Sequence, residues 1–226
     1  MAEATKRRIL NFHGIGTPRR ALEPGEADFW LREERFLLIL DKIANHPDRD
    51  RLSITFDDGN TSDLSIAAPA LLDRGLRAEF FVLTGRIGET GSLDSDDIRA
   101  LMQMGMSIGS HGVAHRDWST LPTIDLQYEL TASKATLEEI CKITIGSAAI
   151  PFGRYNAAVL KALRSAGYST AYSSDGGSAE PLTYLRPRSS LRHSTTDDAL
   201  ENVVSGRMPP LKRLRRFAGM SARAWL

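Results

Sequence analysis

Cysteine is almost missing from this chain of 226 residues. Cys141 stands alone, so no disulfide can form within the chain. That fits a reducing compartment. With no histidine near it in sequence, Cys141 reads as a small apolar residue packed on a helix rather than as a reactive thiol. Long apolar runs are missing too. Lys6-Arg7-Arg8 is followed only by Ile9-Leu10 before Asn11, short of the about 7–15 apolar residues of a secretory signal. No run approaches the ~18 apolar residues of a membrane span. The expected location is therefore cytoplasmic. Repeats and low-complexity tracts are absent. An overall excess of one charge is absent as well: the formal net charge is +1, so the molecule as a whole is not built to bind nucleic acid. Locally the balance breaks, because no acidic residue follows Glu201 while Arg207, Lys212, Arg213, Arg215, Arg216 and Arg223 do.

What is present is enough apolar sequence, 42%, to bury one sizeable core. Short apolar runs read as strands at Ile9 to His13, Leu52 to Phe56, Arg77 to Leu83, Met106 to Ser110, Ser147 to Ile150, Thr170 to Ser173 and Leu185 to Ser190. Between most of them, apolar residues recur at helical spacing: Phe36, Leu37, Leu40 and Ile43; Leu64, Ala67, Ala68, Leu71 and Leu72; and a run from Thr123 to Cys141. Ser95 is expected to cap a helix carrying Ile98, Leu101 and Met102. Asn156 is expected to cap one carrying Val159, Leu160 and Leu163, which Gly167 stops. A last helix runs from Thr196 to Ser205. Thr17 to Ala27 and Ser173 to Pro181 read as loops. Alternating strands and helices predict an α/β fold with a mostly parallel sheet, and seven strands favour closure into a barrel.

In such a barrel, reactive residues sit just after the strands. Two strand ends here carry chemistry. Thr55-Phe56 leads into Asp57-Asp58-Gly59, and Ile108-Gly109-Ser110 leads into His111-Gly112-Val113-Ala114-His115. An Asp-Asp-Gly run can also be a plain turn. Histidines four apart reach one ion from one side of a helical turn. Two imidazoles and one carboxylate suit Zn²⁺, and also Co²⁺, Fe²⁺ or Ni²⁺, with positions left for water and substrate.

Taken in order, Thr55-Phe56-Asp57-Asp58-Gly59, Ser110-His111-Gly112-Val113-Ala114-His115 and Ile150-Pro151-Phe152-Gly153 resemble the motifs of polysaccharide deacetylases, the carbohydrate esterase group built on the NodB-homology domain. The resemblance covers about Ile9 to Ser205. It implies a distorted (β/α)7 barrel over residues 1–206 and metal-dependent removal of N- or O-acetyl groups from a saccharide. By that resemblance Asp57 is the general base, and Asp58, His111 and His115 hold one divalent metal ion, Zn²⁺ first among the candidates. A backbone N–H near Asn60 supports the oxyanion, and Pro151, Phe152 and Gly153 border the substrate. Two histidines fit the general acid. Leu191-Arg192-His193 matches the usual late strand. Leu10-Asn11-Phe12-His13 resembles the permuted poly-N-acetylglucosamine type, and His13 is preferred because its strand is the cleaner buried one. His46 is given no role. The family's arginine two positions before the proline is replaced by Ala149, so Arg186 or Arg188 has to supply that charge, or nothing does. Trp118, Phe152 or Leu191 is a candidate for the acetyl-methyl pocket.

Two other functions stay open: hydrolysis of a non-sugar amide or O-acetyl ester, and a degenerate barrel that binds glycan without turnover. Residues 207–226 form a separate basic tail. On a helical wheel Leu211, Leu214, Ala218, Ala222 and Trp225 fall opposite most of the arginines and Lys212. That pattern suits a helix lying on an anionic membrane, here the inner face.

Overall fold

The computed structural model describes residues 6–180 and 182–225, without the side chains of Lys212, Ala224 and Trp225. Residues 1–5, Pro181 and Leu226, and the wheel positions of Lys212 and Trp225, lie outside the described residues.

The strands are β1 (Arg7–Phe12), β2 (Leu52–Asp58), β3 (Ala78–Val82), β4 (Ser107–Ser110), β5 (Ser147–Ala149), β6 (Thr170–Ser173), β7 (Ser178–Ala179), β8 (Leu185–Pro187) and β9 (Ser189–Ser190). The helices are α1 (Glu33–Ala44), α2 (Ala68–Leu72), α3 (Ser95–Gln103), α4 (Thr123–Cys141), α5 (Ala157–Ser165), α6 (Asp197–Val204) and α7 (Pro210–Trp225). Strands β1 to β6 pair in chain order, all parallel, and β8 adds to β6. One residue after β8, β9 pairs with β1 through Leu10↔Ser189 and Asn11↔Ser190. The segment read from sequence as a single strand, Leu185 to Ser190, is thus two short strands that change partner at Arg188 and nearly close the barrel. The two-residue β7, inside the segment read as a loop, lies antiparallel on Arg7 and Arg8. It is too short to carry a period of two.

Alternation along each strand sorts the residues into two layers. Leu10, Phe12, Ile54, Phe56, Phe80 and Ile108 face outward under the helices and join the main core. Ile9, Phe81, Ala149, Tyr172 and Ala179 form a smaller cluster within the barrel. Phe12, Phe56 and Phe80 are register neighbours on three adjacent strands, and their rings stack at centroid distances of 5.2 and 4.7 Å. Because the odd-even pattern is continuous, the ladder that fixes the outer layer also turns Asn11, Thr55 and Asp57 inward.

Most helices start and stop where the sequence places them. Asn156 caps α5 by accepting from Val159 N–H, and α4 runs from Thr123 to Cys141 as expected. The cap of α3 is Asp94, not Ser95. Asp94 accepts from the N–H groups of Asp96 and Asp97, and Asp97 returns a bond to Asp94 N–H. A reciprocal capping box satisfies more orphan donors than Ser95 would. In α7, Arg216 bonds the Ser178 carbonyl, and Arg223 pairs with Asp175 over the Tyr155 ring. Arg216 and Arg223 therefore tie the helix to the barrel, while Arg213 and Arg215 are exposed together with Leu211, Leu214 and Phe217. No helix among the described residues is long and apolar enough to cross a membrane.

Phe56 sits between two stacked rings with none of its surface exposed. Phe56→Ala is expected to cost about 3–5 kcal/mol in urea denaturation. A loss near zero would mean that the ladder is not what holds these strands in register.

Candidate metal and catalytic site

Neighbouring residues of a strand normally face opposite ways. Asp57 follows that rule and points into the barrel. Asp58 has φ +81° and Gly59 φ +70°, so the chain turns sharply as β2 ends. This turn brings the second carboxylate to the same mouth as the first. A left-handed non-glycine residue costs on the order of 1–3 kcal/mol and persists where its surroundings over-determine it.

The two histidines come from the loop after β4. His111 is buried at the strand end, where its N–H donates to the Val82 carbonyl at 2.9 Å. Gly112 has φ +86°, and a Cβ there would lie 2.8 Å from Glu129 Oε2. That Glu129 oxygen, reaching up from α4, accepts from Val113 N–H at 2.7 Å and Ala114 N–H at 3.2 Å. The braced loop delivers His115, itself at φ +50°. His111 Nε2 and His115 Nε2 lie 3.6 and 3.8 Å from Asp58 Oδ1, and the ligand atoms of the three residues all fall within 4.8 Å of one another.

The donor set fits a divalent cation. Asp58 Oδ1 is buried with no hydrogen-bond partner among the described residues, which an apolar interior does not tolerate without compensation. His111 Nδ1 donates to the Ala149 carbonyl at 2.9 Å, which leaves Nε2 with its lone pair. Burial lowers the His111 pKa to about 4, against the pull of Asp57 and Asp58, so the ring is neutral near pH 7. Burial raises the Asp58 carboxyl, but attraction to the His13, His115 and His111 imidazoles outweighs it and holds the group below its ordinary value.

Asp57 is gripped differently. Arg188, with none of its surface exposed, donates from NH1 to Asp57 Oδ1 at 2.6 Å and from NH2 to Oδ2 at 2.8 Å. Asn11 Nδ2 adds a third bond to Oδ2 at 2.9 Å. Thr55 Oγ and Arg188 NH1 both donate to Asn11 Oδ1, at 2.7 and 2.9 Å. Burial alone would raise the Asp57 pKa, but the Arg188 charge and hydrogen bonds, helped by His111 and His13, hold it far below the carboxylate range. The charge absent at Ala149 is therefore supplied by Arg188. Arg186 instead points to the Tyr172 hydroxyl at 3.4 Å.

His13 Nε2 lies 3.9 Å from Asp57 Oδ2, and its ring packs on Phe29 at 4.7 Å. His193 is exposed, with Nδ1 and its backbone N–H on the Asp28 carbonyl. His13 lines the cavity of about 540 Å³ over the site, together with Asp57, Asp58, His111, His115, Glu23, Phe29, Phe152, Ser190 and Arg192; His193 does not.

The other residues singled out in sequence divide. Phe152, at φ +57°, stacks on His115 at 4.4 Å and is half exposed at the mouth. Pro151 is buried beneath it, and Gly153 lets Ser174 approach so closely that a Cβ would lie 2.7 Å away. Trp118 and Leu191 are buried in the outer core and do not line the cavity. Asn60 is buried, its side chain accepts from Arg20 at 3.0 Å and its backbone carbonyl accepts from Asp63 N–H at 2.9 Å. Sequence reasoning missed Asn11, Thr55, Glu23 and Asp63. An Asn two residues before His13, on a strand facing the site, was the available signal for the first.

A search of family models matches residues 44–171, more than half of the chain, to the polysaccharide deacetylase family. YxkH of Bacillus subtilis (strain 168), provisionally named a polysaccharide deacetylase, is 28% identical over 184 residues, 76% of this chain; the chain spans 65% of YxkH. Among solved structures, Streptococcus pyogenes deacetylase PplD in complex with acetate superposes with a TM-score of 0.76 at 22% identity, over 92% of this chain and all of that one. IcaB from Ammonifex degensii gives 0.73 at 18% identity, over 90% of this chain and 97% of that one. The (β/α)7 barrel is thus the shared fold.

Arg188→Met leaves a buried carboxylate without its cation and is expected to cost about 3–5 kcal/mol in chemical denaturation. Adding Asp57→Asn removes the stranded charge and is expected to recover part of that loss; strict additivity of the two changes would contradict the pairing.

Asp63 behaves oppositely to Asp57. Burial first, then the Asp58 charge, pushes its pKa well above the ordinary value. A raised carboxyl pKa favours folding at low pH and costs stability as pH rises from about 4 toward the folded value. Asp63→Asn is expected to raise Tm relative to wild type increasingly from pH 4 to pH 8, by roughly 2–4 °C per kcal/mol. A difference independent of pH would mean that Asp63 is not held neutral. With the motif triad, the Asp57 clamp and the family match together, this chain belongs to the polysaccharide deacetylase family.

Proposed function

We propose that the protein is a metal-dependent hydrolase that removes acetyl groups from an N-acetylated saccharide. The observation that carries this reading is the juxtaposition of Asp57, an oriented and ionised carboxylate, with the Asp58, His111 and His115 cluster at the floor of one cavity. That PplD was solved in complex with acetate, the product such a reaction releases, agrees with it.

Asp58, His111 and His115 hold the metal, and Zn²⁺ matches their donor set best. When bound, a divalent ion supplies Lewis acidity toward a carbonyl and a water whose pKa lies near neutrality. Asp57 accepts the proton of the attacking water. Its two oxygens are fixed by Arg188 and Asn11, yet a carboxylate offers about four lone-pair sites, so acceptor capacity remains. His13 donates a proton from Nε2 to the leaving amine, from the Asp57 side of the cavity. Phe29 and Phe152 offer aromatic faces at the mouth, and Glu23, Asp28, Ser190 and Arg192 offer polar groups, a lining suited to a hydroxylated ring.

A binding barrel without turnover would need no oriented base, and the Arg188 grip on Asp57 supports the hydrolase over it.

Acetate release from N-acetylated oligosaccharides tests the assignment. Asp57→Asn and His13→Ala are each expected to lower kcat by about 10²–10⁴-fold, while His193→Ala stays near wild type. A His193→Ala enzyme that is dead beside an active His13→Ala enzyme would move the general acid to the late strand.

A further inference from the structure

We propose that Glu23 is a positioning residue for the metal site: it fixes the tautomer and aim of His115 from a segment that lies before the region matched by the family. The inference rests on the metal-dependent reading above and adds to it a residue that the motifs do not contain.

For both imidazoles to present Nε2 to one ion, each has to carry its proton on Nδ1. His111 is locked in that form by a backbone carbonyl, Ala149. His115 sits on left-handed backbone, and its Nδ1 meets Glu23 Oε2 at 3.0 Å. A carboxylate accepts and does not donate, so this contact demands Nδ1–H and frees Nε2, which faces Asp58. The partner lies 92 residues away in sequence, so no motif spacing signals it.

The carboxylate is itself braced. Its other oxygen pairs with Arg86, from the turn Thr84–Arg86 that follows β3. The Glu23 N–H donates to Glu26 Oε2 at 2.8 Å. Glu26 is clamped by Arg20, whose NH2 also reaches Asn60 Oδ1 at 3.0 Å. Residues 20–26 therefore form a strap tied to the loop after β2 and to the turn after β3. Glu23, Pro24, Gly25 and Glu26 line the same cavity as the metal cluster. An exposed glutamate on an untethered loop would sample many positions; this one is held at both carboxylate oxygens and at its backbone.

The test measures metal binding directly, in the full-length protein stripped of metal. Zn²⁺ affinity is read by competition with a chelator, and the Co²⁺ adduct by its visible ligand-field bands, for wild type, Glu23→Gln and Glu23→Asp. Glu23→Gln keeps the size of the side chain and removes the obligate acceptor. It is expected to weaken Zn²⁺ binding by about 10–100-fold and to shift or weaken the Co²⁺ bands, while the melting temperature of the metal-free protein stays that of wild type. Glu23→Asp, which restores a carboxylate, is expected to recover part of the affinity. Wild-type affinity and unchanged Co²⁺ bands in Glu23→Gln would overturn the inference and leave the metal reading standing. A wild type that binds neither ion would overturn both. A loss in Glu23→Gln matched by a fall in melting temperature, with no recovery in Glu23→Asp, would reduce Glu23 to a structural tie.

Discussion

The Arg188–Asp57 pair is the interaction on which the rest of the molecule depends. Arg188 is the single residue between the strand that pairs with β6 and the strand that pairs with β1. At that junction its backbone N–H donates to Ser173 and its carbonyl accepts from Gly176, while the guanidinium crosses the barrel to Asp57. One residue therefore joins the last strands to the first and fixes Asp57. Taking both charges out of water is costly, and a lone ion at that depth would be costlier still. Thr55 and Asn11 complete the network, so the strand that carries Asp57, the strand that leads to His13 and the closing strand share one set of hydrogen bonds.

Around this fixed point the Asp58, His111 and His115 cluster is assembled by backbone turns. Asp58 and His115 both have positive φ, and each is held by something outside its own loop: the parallel pairing of Asp58 with Val82, and the Glu129 brace beneath the 112–114 loop. Burial and charge then set the protonation states. His111 is left neutral and Asp58 ionised, the forms a cation needs. Asp63, equally buried and facing the Asp58 charge, is pushed the other way. The three buried acids thus differ by their neighbours: Arg188 beside Asp57, imidazoles around Asp58, and the Asp58 and Asp57 carboxylates acting on Asp63.

Much of this is legible in the sequence, because parallel strands deliver chemistry at their ends and both motifs follow clean apolar runs. The strand and helix positions come from periodicity that packing does not override. What was not legible depends on contacts between distant segments. Arg186 and Arg188 share one face of the segment and both reach the Tyr172 ring, and only the folded barrel shows that Arg188 is the one that meets Asp57. Asn11 and Thr55 read as ordinary strand residues until the barrel closes. Ser95 looks like a cap as good as Asp94, because the reciprocal bond from Asp97 is geometric. The family match begins at residue 44, whereas His13, Asn11 and Glu23 precede it and Arg188 follows it. Both flanks therefore supply residues that the matched region lacks.

The central claim is that Asp58, His111 and His115 form a metal site beside a base held by Arg188. The most direct measurement is elemental analysis of the purified protein after equilibration with Zn²⁺, for wild type beside His111→Ala. The account predicts about one divalent ion per chain in wild type, by the ligand count of a catalytic zinc site, and its loss in the variant. A wild type that stays empty, or a variant that keeps its ion, would contradict it.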